Sequence, residues 1–149
     1  MDLLIPPASP VRFVGIGPQD SVLFEGRFRL TGRYHCGRAR RTAVGAELEL
    51  HFFPDEALRT VLPYWHEHRP VLDLRMDNAD EFLRAVVREP VLCGLREGQV
   101  PAVSGRAVIW GDGYHVSLQD RRPLYTLHFL SLDGHLPADS CLETADLAC

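Results

Sequence analysis

The stretch Gly113–Leu130, GYHVSLQDRRPLYTLHFL, decides how the second half of the chain folds. Apolar and polar residues alternate on both sides of Asp120-Arg121-Arg122-Pro123, the pattern of two half-buried strands joined by a turn. With those four residues as the loop, Gln119 faces Leu124. Leu118 then meets Tyr125, Val116 meets Leu127 and Tyr114 meets Phe129, so one face is wholly apolar. The other face sets Ser117 against Thr126 and His115 against His128. A one-residue slip would mix the two faces, and the register is predicted on that ground. His115 and His128 become direct cross-strand neighbours, with Cβ atoms ~5 Å apart. That separation suits two metal ligands or two imidazoles that repel when charged. A zinc ion needs three or four protein ligands, and the neighbours here are Ser117, Thr126 and Ile109. The surface reading of the two histidines therefore outweighs the metal reading.

Working outward, Gly111-Asp112-Gly113 reads as a turn, which makes residues 106–132 a three-stranded meander. Upstream, residues 22–36 alternate with period two. Val22, Phe24, Phe28, Leu30, Tyr34 and Cys36 share one face, and Glu25, Arg27, Arg29, Arg33 and His35 the other. Gly26 and Gly32 lie on the apolar face and predict a bend or bulge, or else a turn at Thr31-Gly32. Residues 44–53 alternate likewise, with Val44, Ala46, Leu48, Leu50 and Phe52 inward. Residues 37–43, GRARRTA, between them read as a polar turn centred near Arg40. An antiparallel hairpin follows, with Arg33 opposite Glu47 and Arg29 diagonal to Glu49.

Pro54-Asp55-Glu56 reads as a helix start. Leu58, Val61, Leu62 and Trp65 continue it as one buried stripe, which Pro63 ends or kinks. Residues 70–76 read as a short strand. Residues 77–89 read as a second helix, with Asn78 and Glu81 as a capping box and Phe82, Leu83, Val86 and Val87 inward. Pro90 stops it, and Val91–Leu95, VLCGL, reads as a further strand. The expected fold is therefore α+β. A curved, mostly antiparallel sheet of six or seven strands, approaching a half-barrel, has two helices on one face in the order β-ββ-α-β-α-(β)-βββ. The chain reads as a single domain over 1–149, with loosely ordered ends at 1–10 and 136–149.

Composition limits the chemistry. The 149 residues are 46% hydrophobic and 24% charged, as in an ordinary globular domain. The net charge of −4 disfavours nucleic acid as a partner. All sixteen basic residues are Arg, so Schiff-base chemistry and a P-loop lysine are excluded. Codon bias in a GC-rich genome explains the missing lysine most simply. Cys36, Cys93, Cys141 and Cys149 include no C-x-x-C pair. The N-terminus lacks a signal-peptide pattern, and no apolar run reaches the ~18 residues of a membrane span. A cytosolic protein with reduced thiols is expected.

No catalytic motif stands out. Residues 65–68, WHEH, place His66 and His68 at a predicted helix end, where capping explains them better than a metal does. His35 and Cys36 point to opposite faces of one strand and cannot act as base and nucleophile together. Cys36 and Cys93 read as buried, inert thiols. Neither Gly15-Ile16-Gly17 nor the Gly111–Gly113 stretch fits a dinucleotide-binding fingerprint, and no cofactor is expected. Two Arg-rich loops, with Arg38, Arg40 and Arg41 in one and Arg121 and Arg122 in the other, would form a basic rim if they lay at one end of the sheet.

The function read from these features is a small, non-enzymatic protein-binding module of inhibitor, immunity or adaptor type, such as bacteria and phage encode. It would dock through an exposed sheet face and the Arg loops, with His115 and His128 on that face. A small enzyme or ligand pocket inside a curved sheet, lined by Tyr34, His35, His51, Trp65, His115 and His128, is the alternative. Metal binding through His115 and His128 is the third reading. The partner is another protein, with a homodimer through an exposed edge strand left open.

Overall fold

A computed structural model describes residues 3–42, 45–56, 61–65, 73–119 and 122–137. The alternation in the first half becomes one long strand, β3 (Val22–Thr42), rather than a strand and a turn. Phe24, Phe28, Leu30, Tyr34 and Cys36 are buried on its inner face, and Glu25, Arg27, Arg29, Thr31, Arg33 and His35 are exposed on the other. Twenty-one residues extend about 70 Å, too long for a flat strand in a small domain. The strand coils, and a bulge between Glu25 and Phe28 bends it. Gly26 supplies that bend with a φ of +145°, and the backbone of Pro10 and Val11 packs where a side chain would be.

Ahead of β3 lie β1 (Leu3–Leu4) and β2 (Arg12–Ile16), with a 3-10 turn at Pro18–Asp20. After β3 come β4 (Gly45–Pro54), β5 (Tyr64–Trp65) and β6 (Leu74–Met76). Helices α1 (Ala79–Val86) and α2 (Glu89–Glu97) precede the long strands β7 (Ala102–Gln119) and β8 (Arg122–Pro137). The main sheet runs β2-β3-β4-β6-β8-β7, and β7 also pairs with β3. The pairings therefore close on themselves as β3-β4-β6-β8-β7-β3, a barrel-like ring with β2 attached outside it. Every pairing is antiparallel except β6 with β8. β1 and β5 form a separate two-stranded sheet. The α+β class, the mostly antiparallel six-stranded sheet and its half-barrel curl agree with the sequence reading.

Side chains fill the ring. Phe28, Tyr34, Leu50, Phe52, Leu74, Ile109 and Leu127 are almost completely buried, and Phe82, Leu83, Leu92 and Leu95 from the helices join them. Phe82 meets Tyr34 and Phe129 edge-on, with ring centroids 5.0 and 5.3 Å apart. Tyr114 donates to the Pro63 carbonyl at 2.6 Å, and the Trp65 amide donates to the Tyr125 hydroxyl at 2.9 Å. These two bonds tie residues 61–65 to the ring.

Several elements differ from the sequence reading, each for a physical reason. The β7–β8 hairpin sets Gln119 against Arg122, Tyr114 against Leu127 and His115 against Thr126. This is a two-residue displacement, which leaves the same side chains on the same faces, so face separation alone does not exclude it. His115 and His128 are consequently offset along the sheet, and His128 faces Gly113. The β3–β4 hairpin is displaced by six residues: Arg33 faces Phe53, and the strands continue to Thr42 and Gly45. The guanidinium of Arg33 lies 5.5 Å from the centre of the Phe53 ring, a cation–π contact in place of the expected Glu47 pairing.

The expected meander is one hairpin, because Gly111–Gly113 does not turn. Asp112 is an extra residue bulged between the pairs Gly111–Phe129 and Gly113–His128, and the Phe28 ring occupies the place of a Gly111 side chain. Pro54 ends β4 instead of opening a helix. The segment 61–65 leads into β5, which pairs with Leu3–Leu4, and Leu62 of the predicted stripe is buried in the core. Leu58 lies outside the described residues. Val91–Leu95 is helical: α1 already ends at Val86, with Val87 and Arg88 extended, and Pro90 occupies the first turn of α2, which Gly98 closes with a φ of +84°.

Candidate functional site

The outer surface around β6 gathers most of the histidine chemistry. β6 lies between β4 and β8, facing His51 through Arg75 and Leu127 through Met76. Aspartates bracket it. Asp73 Oδ1 is 2.7 Å from His51 Nδ1, and Asp77 Oδ1 is 2.7 Å from His128 Nδ1. His51 Nε2 is 3.1 Å from Glu49, which also meets Arg75 at 3.0 Å. The His51 ring stacks on Phe53 at 6.0 Å, and His35 is its direct cross-strand neighbour on β3. The cross-strand histidine pair is thus His35 with His51, not His115 with His128.

His128 Nε2 lies 3.4 Å from the side-chain nitrogen of Asn78. That nitrogen donates to the Phe129 carbonyl at 2.8 Å, and Asn78 Oδ1 accepts from the Phe129 amide at 2.8 Å. Asn78 is at the α1 N-cap position, yet its side chain serves β8 rather than the helix. Its partner in the expected capping box, Glu81, accepts from Asn78 Nδ2 at 3.1 Å. The groove beside them is lined by Leu48, Asp77, Asp80, Glu81, Arg84 and Arg96.

Burial sets the protonation behaviour of the remaining groups. The His115 imidazole is lowered below its usual range by desolvation, partly offset by the negative charge of Asp77. His135, 2.6 Å from the Tyr34 hydroxyl, is lowered by burial as well. The Cys36 thiol is pushed up to about 12 by burial, with Asp80 and Glu49 adding to it, so it is protonated and unreactive near neutral pH. Burial raises the Tyr114 hydroxyl well above the usual tyrosine range.

A pH dependence follows. The folded chain holds His115 and His135 below the ordinary 6.5, so below that value the unfolded chain binds protons the folded one resists. The associated stability is complete above about pH 6.5 and is lost as pH falls through the folded-state values. Both rings are partly exposed, which keeps the effect modest. The double variant His115→Gln/His135→Gln is expected to lose less stability than the wild type between about pH 7 and pH 5 in urea titrations. Equal losses in the two proteins would refute this assignment.

The other sequence-predicted residues do not converge. Tyr34 points into the ring, His35 and His51 stand on its outside, and Trp65 lies on β5. Arg38, Arg40 and Arg41 belong to β3 and Arg122 opens β8, but their side chains, and Arg121 entirely, lie outside the described residues. Along the backbone, Gly37 pairs with Ala102, whereas Val22 pairs with Val116 and Gln119 with Arg122, so the backbones of Arg38 and Arg122 lie toward opposite ends of β7. His66 and His68 also lie outside the described residues. Among the described residues, no three His, Cys, Asp or Glu side chains are grouped to hold a metal ion, and no helix is long and apolar enough to cross a membrane.

The strand expected ahead of the first hairpin, to which the sequence reading assigned no residues, is edge strand β2. It carries Phe13, Val14 and Ile16 with 54%, 48% and 62% of their surface exposed, and β3 is its only partner strand among the described residues. Arg12-Phe13-Val14-Gly15-Ile16 is a short β-prone run, and that was the available signal. No protein-family model matches the chain, and no curated protein and no solved structure shows significant similarity to it.

Proposed function

We propose that the chain is a non-enzymatic, cytosolic protein-binding module of the inhibitor, immunity or adaptor type, docking through its outer sheet surface. The observation that carries this reading is β2, an open edge strand displaying Phe13, Val14 and Ile16 to solvent. Open strand edges are templates for another chain, and exposed apolar residues beside one supply contact area. The filled ring supports the same choice, since aromatic and aliphatic side chains occupy the space a ligand in a curved sheet would need.

The test is affinity capture from the native host followed by binding measurements on the captured partner. Phe13→Asp/Ile16→Asp alters only exposed positions and is expected to weaken binding at least thirtyfold, the scale of an interface hot spot. Unchanged affinity in that variant would overturn docking through β2. Loss confined to an Arg38→Glu/Arg40→Glu/Arg41→Glu variant would move the contact to the β3–β4 hairpin.

A further inference from the structure

The ring closes through its shortest strand. β3 and β7 stay paired from Val22–Val116 to Gly37–Ala102, and β7 and β8 from Gly105–Pro137 to Gln119–Arg122. Among the described residues, β6 instead meets β4 only at Arg75 and Leu74, and β8 only at Arg75 and Met76. Leu74 and Met76 are nonetheless buried, so this short strap covers core that its own ladder holds weakly. The Asp73–His51 and Asp77–His128 contacts flank it, but Asp73, Asp77 and His128 are exposed and His51 is half-buried, and such solvated pairs contribute little.

The stronger tie is Asn78. The Asp77 amide bonds to Leu127 O at 3.1 Å, and the ladder would end there. The carboxamide of Asn78 continues it, meeting both the N–H and the C=O of Phe129 at 2.8 Å. A side chain thereby makes the two bonds that a further strand residue would make. Leu130, next along β8, is bulged out between the pairs Phe129–Gly111 and Ser131–Trp110, so Phe129 sits where the sheet is already interrupted.

We propose that residues 73–78 form a strap that opens locally, with Asn78 as its latch. Opening uncovers Phe52, Leu74, Met76 and Leu127 while the β3–β7–β8 wall stays paired. Segments with few ladder bonds open at lower free energy than the rest of a fold. The device is independent of docking at β2.

Native-state hydrogen exchange on the full chain tests it, under conditions where reclosing outruns exchange. In the wild type, the Asp77 and Phe129 amides are expected to exchange at least tenfold faster than Leu30 and Ile109 in the wall. Asn78→Ala removes bonds absent from both the opened and the unfolded chain, so it speeds the Asp77 amide and the wall alike, by about tenfold for two backbone-type bonds, while the Phe129 amide loses its acceptor outright. Val108→Gly alters the outside of the wall, where Val108 faces Thr31 and Gly134. It speeds the wall and leaves the seam rates unchanged. Seam amides as protected as the wall in the wild type would overturn the proposal. So would a Val108→Gly variant that accelerates both sets equally, because the ring would then open only by unfolding.

Discussion

Replacing Phe82 with alanine is expected to destabilise the fold by about 3–5 kcal/mol, the cost of deleting a fully buried aromatic ring. Phe82 has no exposed surface, and it joins helix to ring by lying edge-on to Tyr34 from β3 and Phe129 from β8. Those two strands are not neighbours in the ring, because β7 lies between them on one side and β4 and β6 on the other. One ring of six carbons therefore holds opposite parts of the barrel to α1. Its removal leaves a cavity that a closed sheet cannot readily collapse into, which places the loss toward the upper end of the range. Domain stabilities are about 5–15 kcal/mol, so the variant is expected to populate unfolded chain at modest urea. Urea denaturation measures the loss, and Phe82→Leu should recover a large part of it. A loss below about 1 kcal/mol in Phe82→Ala would mean that α1 does not act as a plug.

The second large effect is expected at Gly26. An alanine there meets two obstacles at once. Its φ of +145° is one that L side chains rarely adopt, at a cost of about 1–3 kcal/mol. Its Cβ would also overlap the Pro10 carbonyl oxygen and lie 2.9 Å from Val11 Cα. Both obstacles are backbone, so no side chain can rotate aside, and the chain entering β2 must move. The total is expected to be about 3 kcal/mol or more. The Phe13–Phe24 contact at 6.2 Å should loosen with it, and under the proposed function partner binding should weaken too. Gly15→Ala is the control, since nothing lies within 4 Å of the added carbon. It should change stability by less than about 0.5 kcal/mol. Denaturation midpoints that fail to separate these two variants would remove Gly26 as the bend that seats β2.

What could be read from the residues was which way they face. Phe28, Leu30, Tyr34 and Cys36 are inside and Arg29, Arg33 and His35 outside, as their alternation requires. Register was not legible. A slip of two residues at Tyr114 or six at Arg33 returns every side chain to its own face, and only the connection length distinguishes the alternatives. Punctuation was misread where one residue can serve two ends. Pro54 closes a strand where it can also open a helix, and Pro90 sits in the first turn of a helix where it can also stop one. The site was half visible for the same reason. His115 and His128 do share the outer face, but Asp77 reaches His128 only because β6 pairs with β8 in parallel. That contact spans 51 positions, and no local pattern encodes it.

The β3–β7 ladder carries a consequence for how the molecule comes into being. A ribosome releases the N-terminal half first, yet Gly37 waits for Ala102 and Val22 for Val116. At about 5–20 residues per second, the β3 edge that β7 will cover remains unoccupied for several seconds after β3 is made. Such distant pairings also slow the final assembly, toward milliseconds to seconds for a domain of this kind. During that interval an apolar strand with an open side is a target for self-association. The yield of soluble chain should therefore respond to expression temperature and chaperone supply more sharply than the finished fold would suggest.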